Sequence, residues 1–160
     1  THHKHFSFRS LLEEQCGKVK EIVSKYGVKV VCDEKDEELL NADVVMPVPL
    51  AYRRLFKRGY NQATLLARPV ARALNLKMDL DSVVRCHREN MGHKTARERA
   101  ENIRGVFSVV HPENIRGKKI LLIDDVMTTG ATFSELRSVL KRAGAASVYG
   151  LTFCRVVRAI

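Results

Sequence analysis

Ile120-Leu121-Leu122-Ile123-Asp124-Asp125-Val126-Met127-Thr128-Thr129-Gly130-Ala131-Thr132 joins an apolar run to an acidic pair and then to a turn of small and hydroxylated residues. Lys118 and Lys119 lead into four apolar side chains without polar alternation, the pattern of a strand buried on both faces of a parallel sheet. The strand is expected to stop at Asp124 and Asp125. Successive side chains on a strand point to opposite faces, so two adjacent carboxylates can meet one ligand where extended chain gives way to a turn. Open α/β sheets bind their ligands at that carboxyl edge.

Gly130 lets the chain turn so that successive N–H groups converge, which makes the stretch from Met127 to Thr132 an anion site fit for a phosphate. A helix is predicted to follow, with Phe133, Leu136, Leu140 and Ala143 on one face and Gly144 at its C-terminal end. Its N-terminal amides and dipole would add to the anion site. Thr132-Phe133-Ser134-Glu135 also fits a capping box, so Thr132 is open to a second reading as a plain helix cap.

The whole segment resembles the motif that binds 5-phosphoribosyl 1-diphosphate (PRPP) in type I phosphoribosyltransferases, where four apolar residues precede Asp-Asp and a Thr-Thr-Gly-x-Thr turn. The resemblance implies that Asp124 and Asp125 bind the ribose hydroxyls. It implies also that Met127, Thr128, Thr129, Gly130, Ala131 and Thr132 cradle the 5′-phosphate.

Upstream, Asp43-Val44-Val45-Met46-Pro47-Val48-Pro49-Leu50 reads as a second buried strand ending at Pro47, because proline cannot donate to a sheet ladder. A rigid loop is expected next, carrying Arg53, Arg54, Lys57 and Arg58 within six residues, and Asn61 suits the N-cap of a following helix. On charge alone the loop is equally a solvated basic surface. Pro-Val-Pro-Leu, the Arg-Arg pair, Arg-Gly-Tyr-Asn-Gln and a later Arg…Asn-Ile-x-Gly-x-Phe resemble the ComF family of these folds over about residues 43 to 156. The loop after this strand meets the diphosphate of PRPP in type I enzymes, so the resemblance makes Arg53, Arg54 and Arg58 candidate diphosphate ligands. Guanidinium forks suit diphosphate oxygens.

The helix from Asn61 to Leu74 has Ala63, Leu66, Val70 and Leu74 for its core face, with Pro69 expected to bend or break it. A strand over residues 82–87 precedes a long polar stretch to Asn102, and structureless stretches of that length tend to be lids or disordered. Its position matches the flexible catalytic loop of type I phosphoribosyltransferases, which implies a lid that keeps water from C1 of PRPP. Arg85, Lys94, Arg97 and Arg99 are then candidates to neutralise the departing diphosphate, a solvated helix being the plain alternative. Residues 106–110 and 147–154 supply further strands. Alternating strands and helices predict an α/β fold, a mainly parallel twisted sheet flanked by helices; the resemblance makes it the type I phosphoribosyltransferase fold.

Residues 1–42 read as a separate N-terminal segment, with a helix over about 10–25, a strand over 28–32 and an acidic run over 33–38, ahead of a PRPP-binding core at 43–160. By resemblance the N-terminal segment would build the acceptor-binding hood. ComF relatives often carry a zinc ribbon there, but Cys16, Cys32, Cys86 and Cys154 include no Cys-x-x-Cys pair, so neither a zinc site nor a disulfide framework is indicated. The start Thr1-His2-His3-Lys4-His5 reads as a trimmed end rather than a metal site or secretory signal.

With 45% hydrophobic and 29% charged residues, the chain excludes a disordered polymer, and no apolar run is long enough to span a bilayer, so a cytoplasmic location is expected. The net charge of +10 predicts attraction to polyanions, PRPP and nucleic acid alike. Only 6% of residues are aromatic, which offers few stacking platforms to a dedicated single-strand binder. The expected function is transfer of a phosphoribosyl group to an unidentified nitrogen nucleophile, with Mg²⁺ carried by the substrate rather than by a protein cage. Two alternatives are a DNA-uptake accessory binding single-stranded DNA and a PRPP-sensing regulator without turnover. A homodimer is compatible with all three.

Overall fold

The computed structural model describes residues 41–86 and 103–155. The N-terminal helix, strand and acidic run lie outside them, as do Lys94, Arg97 and Arg99. Strands β1 (Val44–Pro47), β2 (Lys77–Met78), β5 (Lys119–Met127) and β6 (Ser147–Arg155) form one parallel sheet in the order β2-β1-β5-β6. The two strands read as buried from sequence lie side by side at its centre, with Val44 opposite Ile120 and Pro47 opposite Ile123.

Helices cover both faces of this sheet. Helix α2 (Gln62–Leu74) packs on one, where Ala67, Val70 and Ala71 meet Val45, Leu121 and Ile123. Helix α3 (Ala131–Arg142) covers the other, where Leu136 and Leu140 meet Met46, Ile120 and Leu122. Alternate residues of the Ile120–Ile123 run thus enter different cores, which is why the run carries no polar position. Strands β3 (Val83–Arg85) and β4 (Phe107–Val109) form a separate antiparallel pair, and Val83 and Phe107 anchor it in the α3-side core. Among the described residues no helix is long and apolar enough to cross a membrane.

Four local expectations are corrected. First, the basic segment after β1 is helix α1 (Tyr52–Arg58), not a loop. The Ala51 carbonyl accepts from the amides of Arg54 and Leu55, and Gly59, at φ 76°, closes the helix by donating to the Leu55 carbonyl at 2.7 Å. Lys57 and Arg58 in the last turn complement the dipole. None of its residues is buried, and Tyr52, Leu55 and Phe56, though at helical spacing, fall within only seven residues, too short a stretch for a periodicity reading.

Second, of the bend or break expected at Pro69 the break does not occur, because the buried Ala67, Val70 and Ala71 flanking Pro69 tie the helix to the sheet. Its start is as expected, the Asn61 side chain accepting from the Ala63 amide at 3.0 Å. Third, β5 does not stop at the acidic pair: β6 continues to pair with it, Asp124 opposite Thr152 and Met127 opposite Arg155. What ends there is β1. Beyond Ile123, whose carbonyl accepts from the Val48 amide at 2.8 Å, β5 has no strand on its β1 side among the described residues.

Fourth, Thr132 does not cap α3. Gly130, at φ 78°, is the N-cap residue, Thr132 lies inside the helix, and the Glu135 carboxylate accepts from the distant Gly105 amide at 2.9 Å. Gly130 therefore offers the helix start no side-chain cap, and the Ala131 amide of its first turn donates to Thr129 Oγ1. At the other end Gly144, at φ 98°, follows the C-cap residue as expected.

Candidate functional site

The chain leaves β1 toward β2 on one side, while β5 lies on the other. The gap between the carboxyl ends of β1 and β5 is thus a switch point of the sheet, the place where α/β folds open a crevice. A cavity of about 210 Å³ lies there. Asp124 and Asp125 form its floor, Thr132 comes from α3, and Asn61 and Gln62 come from the start of α2. Arg54 and Arg58 of α1 and Arg85 of β3 close it from above.

Position in the helix decides which cations arrive. Residues four apart share a helix face, so Arg54 and Arg58 turn together to the cavity, while Arg53 and Lys57 form the next ridge and do not line it. Arg58 is steadied by Gln62, donating to Oε1 at 3.3 Å. Asn61 ties α2 to the end of β1, its Nδ2 donating to the Val48 carbonyl at 3.0 Å. Arg85, expected as part of a lid, sits instead on β3 with its guanidinium 5.5 Å from the centre of the Phe107 ring. Burial and the neighbouring Arg54 lower its pKa, and Asp124 opposes them.

The acidic pair is preorganised by its own backbone. The Asp125 amide donates to Asp124 Oδ1 and the Val126 amide to Asp125 Oδ1, both at 2.9 Å, so each carboxylate is held by a backbone amide at the cavity. Partial burial, then the adjoining Asp125 carboxyl, push Asp124 up to about 7, against the lowering pull of the Asp125 amide and Arg85.

The sign of the resulting pH dependence follows. Between pH 4 and pH 7 the folded chain keeps a proton at Asp124 that the unfolded chain releases, so this group's contribution to stability falls as pH rises through that window. Asp124→Asn is expected to melt near the parent temperature at pH 4 and about 3–6 °C above it at pH 8. Thermal melts of both proteins across that range check this, and an unchanged difference contradicts it.

Of the residues singled out from sequence, Asp124, Asp125, Thr132, Arg54, Arg58 and Arg85 meet around one cavity, and Arg53 does not. Met127, Thr128, Thr129, Gly130 and Ala131 link the cavity floor to α3 without lining it, with the Ala131 amide donating to Thr129 Oγ1 at 3.3 Å. Gln62 was missed, although the Arg-Gly-Tyr-Asn-Gln run contained it.

Residues 61–157 match the phosphoribosyl transferase domain family. DNA utilization protein YhgH of Escherichia coli (strain K12) is 36% identical over 116 residues, covering 72% of this chain and 50% of YhgH. Competence protein F of Haemophilus influenzae is 32% identical over 114 residues, covering 69% of this chain and 49% of that protein. The chain spans about half the length of the curated relatives it matches. Among solved structures, the glutamine PRPP amidotransferase of B. subtilis aligns with 72% of this chain and 24% of its own, at a TM-score of 0.49 and 21% identity. The chain therefore belongs to the phosphoribosyl transferase domain family, as a ComF-type member of that superfamily.

Proposed function

We propose that the chain binds PRPP in the cavity at the carboxyl edge and transfers its phosphoribosyl group to a nitrogen nucleophile, in the cytoplasm. One observation carries this reading: two carboxylates and three guanidinium groups, drawn from three separate elements, converge on a single 210 Å³ cavity. Carboxylates accept from ribose hydroxyls, and guanidinium forks bind diphosphate oxygens. PRPP presents both within one molecule.

Asp124 and Asp125 hold the ribose through their carboxylate oxygens. The turn from Met127 to Thr132 receives the 5′-phosphate on its backbone amides and on the start of α3. Arg54, Arg58 and Arg85 take the diphosphate. The bond from C1 to the diphosphate oxygen breaks with its electron pair on oxygen, a C1–N bond forms, and the nitrogen loses a proton. The three guanidinium groups stabilise the charge that develops on the departing oxygen, and the carboxylates fix C1 in place.

No group of three ligating side chains occurs among the described residues, so the chain's fit to Mg²⁺ lies in the acidic pair together with substrate oxygens. Bound there, Mg²⁺ would neutralise diphosphate charge. A second reading, a DNA-uptake accessory that binds single-stranded DNA, is favoured by the exposed aromatic and cationic side chains of α1. A PRPP-sensing regulator would use the same cavity without turnover.

The test is release of inorganic pyrophosphate from Mg²⁺–PRPP over a panel of nitrogenous acceptors. Acceptor-dependent release, lost in Asp125→Asn, is the expected result. PRPP binding without release from any acceptor would make the chain a sensor and refute transfer.

A further inference from the structure

A second cavity, of about 500 Å³, lies on the other side of α1, and the exposed apolar side chains gather around it. Of the nine large hydrophobic side chains exposed among the described residues, Tyr52, Leu55, Tyr60, Leu65, Leu80 and Val84 line this cavity. Phe56 stands beside them, its ring 6.2 Å from that of Tyr52. Tyr52 is 74% exposed and Phe56 83%. Single exposed hydrophobics are ordinary, but a contiguous patch drawn from α1, α2, β3 and the connections between them marks a surface that another molecule covers.

Helix α1 needs that cover. It is seven residues long and buries none of them, whereas isolated helices under roughly 12 residues are marginal in water. Backbone bonds to Ala51 and the cap at Gly59 set its ends without burying a face. The same helix carries Arg54 and Arg58 to the smaller cavity. Burial of Tyr52, Leu55 and Phe56 against a second surface would hold the helix, and with it both guanidinium groups.

The charges around the patch identify that surface. The lining holds Asp79 and Asp81 as well as Arg68 and Arg85, while Arg53 and Lys57 stand on α1 outside it. Asp79 Oδ1 accepts from the amides of Asp81 and Ser82, at 3.1 and 2.9 Å, so that carboxylate shapes its own turn. Asp81 is exposed and, like Arg53 and Lys57, has no ion-pair partner among the described residues. Cations thus rise from one element of the patch and a carboxylate from another. A polyanion would meet the cations but be repelled by both carboxylates, and Leu55, Leu65, Leu80 and Val84 offer bases no ring to stack on. A face with an apolar centre and both signs at its margin is complementary to itself. That is what an isologous dimer requires, since each contact is made twice with the roles exchanged.

We propose that a second copy of this chain seats on this face, so that Arg53 and Lys57 of each copy meet Asp81 of the partner subunit, and that this dimer braces α1 for binding diphosphate in the smaller cavity. The bracing rests on the PRPP reading above; the dimer does not.

The test is sedimentation equilibrium of the parent chain, of Tyr52→Ser/Phe56→Ser, and of two charge variants, Arg53→Glu/Lys57→Glu and Asp81→Lys, separately and mixed. The parent is expected to be a dimer at tens of micromolar, and the serine variant to dissociate roughly 30-fold or more readily. Each charge variant should also dissociate more readily than the parent. An equimolar mixture of the two should associate more tightly than either alone, because opposite signs meet again at both margins. All the substituted side chains are exposed, and circular dichroism verifies the fold. Neither Tyr52 nor Phe56 lines the smaller cavity, so the several-fold loss of pyrophosphate affinity expected of the serine variant in calorimetry reads the bracing. A monomeric parent, or serine and charge variants that associate as the parent does, overturns the dimer. A monomeric parent whose serine variant loses affinity for an oligothymidylate overturns it in favour of the single-strand reading. Charge variants that regain nothing on mixing overturn the isologous pairing. A monomeric serine variant that binds pyrophosphate as tightly as the parent overturns the bracing, whereas a dimeric parent that fails to bind pyrophosphate counts against the PRPP reading instead.

Discussion

Asp125→Asn is expected to bind PRPP roughly 10- to 100-fold more weakly than the parent while melting at nearly the same temperature. The two outcomes separate because the two oxygens of Asp125 have different tasks. Oδ1 accepts from the Val126 amide, and the amide oxygen of asparagine can do the same, so the end of β5 keeps its local bond. In the proposed complex the other oxygen accepts from a ribose hydroxyl. Replacing it with NH₂ sets a donor against the hydroxyl it should accept from and removes the charge that strengthens the bond. Calorimetric titration of both proteins checks the affinity, and undiminished binding would remove the acidic pair from the site.

Arg54→Ala/Arg58→Ala is expected to weaken PRPP and inorganic pyrophosphate by roughly 30-fold or more, with Arg53→Ala changing either by less than about 3-fold. The contrast follows from the helix that replaces the expected loop. A loop would leave all three guanidinium groups equivalent candidates, whereas α1 fixes Arg54 and Arg58 on the cavity side and turns Arg53 to the neighbouring ridge. Because α1 buries nothing, the double variant should melt within about 2 °C of the parent. Equal losses from Arg53→Ala and the double variant would mean that only the overall charge of the segment matters.

The central strands were legible because double-sided burial leaves a plain mark: Ile120 to Ile123 and Val44 to Met46 admit no polar residue, and Pro47 ends its strand where the ladder must stop. The turn at Gly130 was legible for the same kind of reason, its φ of 78° being one that favours glycine. Helix α1 was not, since it is only seven residues long and buries none of them, and its ends are set by backbone bonds to Ala51 and the cap at Gly59. The acidic pair was recognised, but its geometry was misread. Adjacent carboxylates do not need a turn to line one cavity; the end of β1 opens the sheet beside them, and that is a property of the neighbouring strand. Arg85 was selected as a lid residue, and its place on β3 against Phe107 depends on the pairing of β3 with β4, residues more than twenty positions apart.

The most direct test of the central claim is calorimetric titration of Mg²⁺–PRPP into the purified chain at pH 7.5 and physiological salt, repeated with ribose 5-phosphate and with inorganic pyrophosphate. The cavity described here predicts saturable one-to-one binding of PRPP, with both fragments weaker because each engages only part of the site. PRPP no tighter than pyrophosphate alone, or no saturable binding, would show that the acidic pair and the three arginines do not form one site.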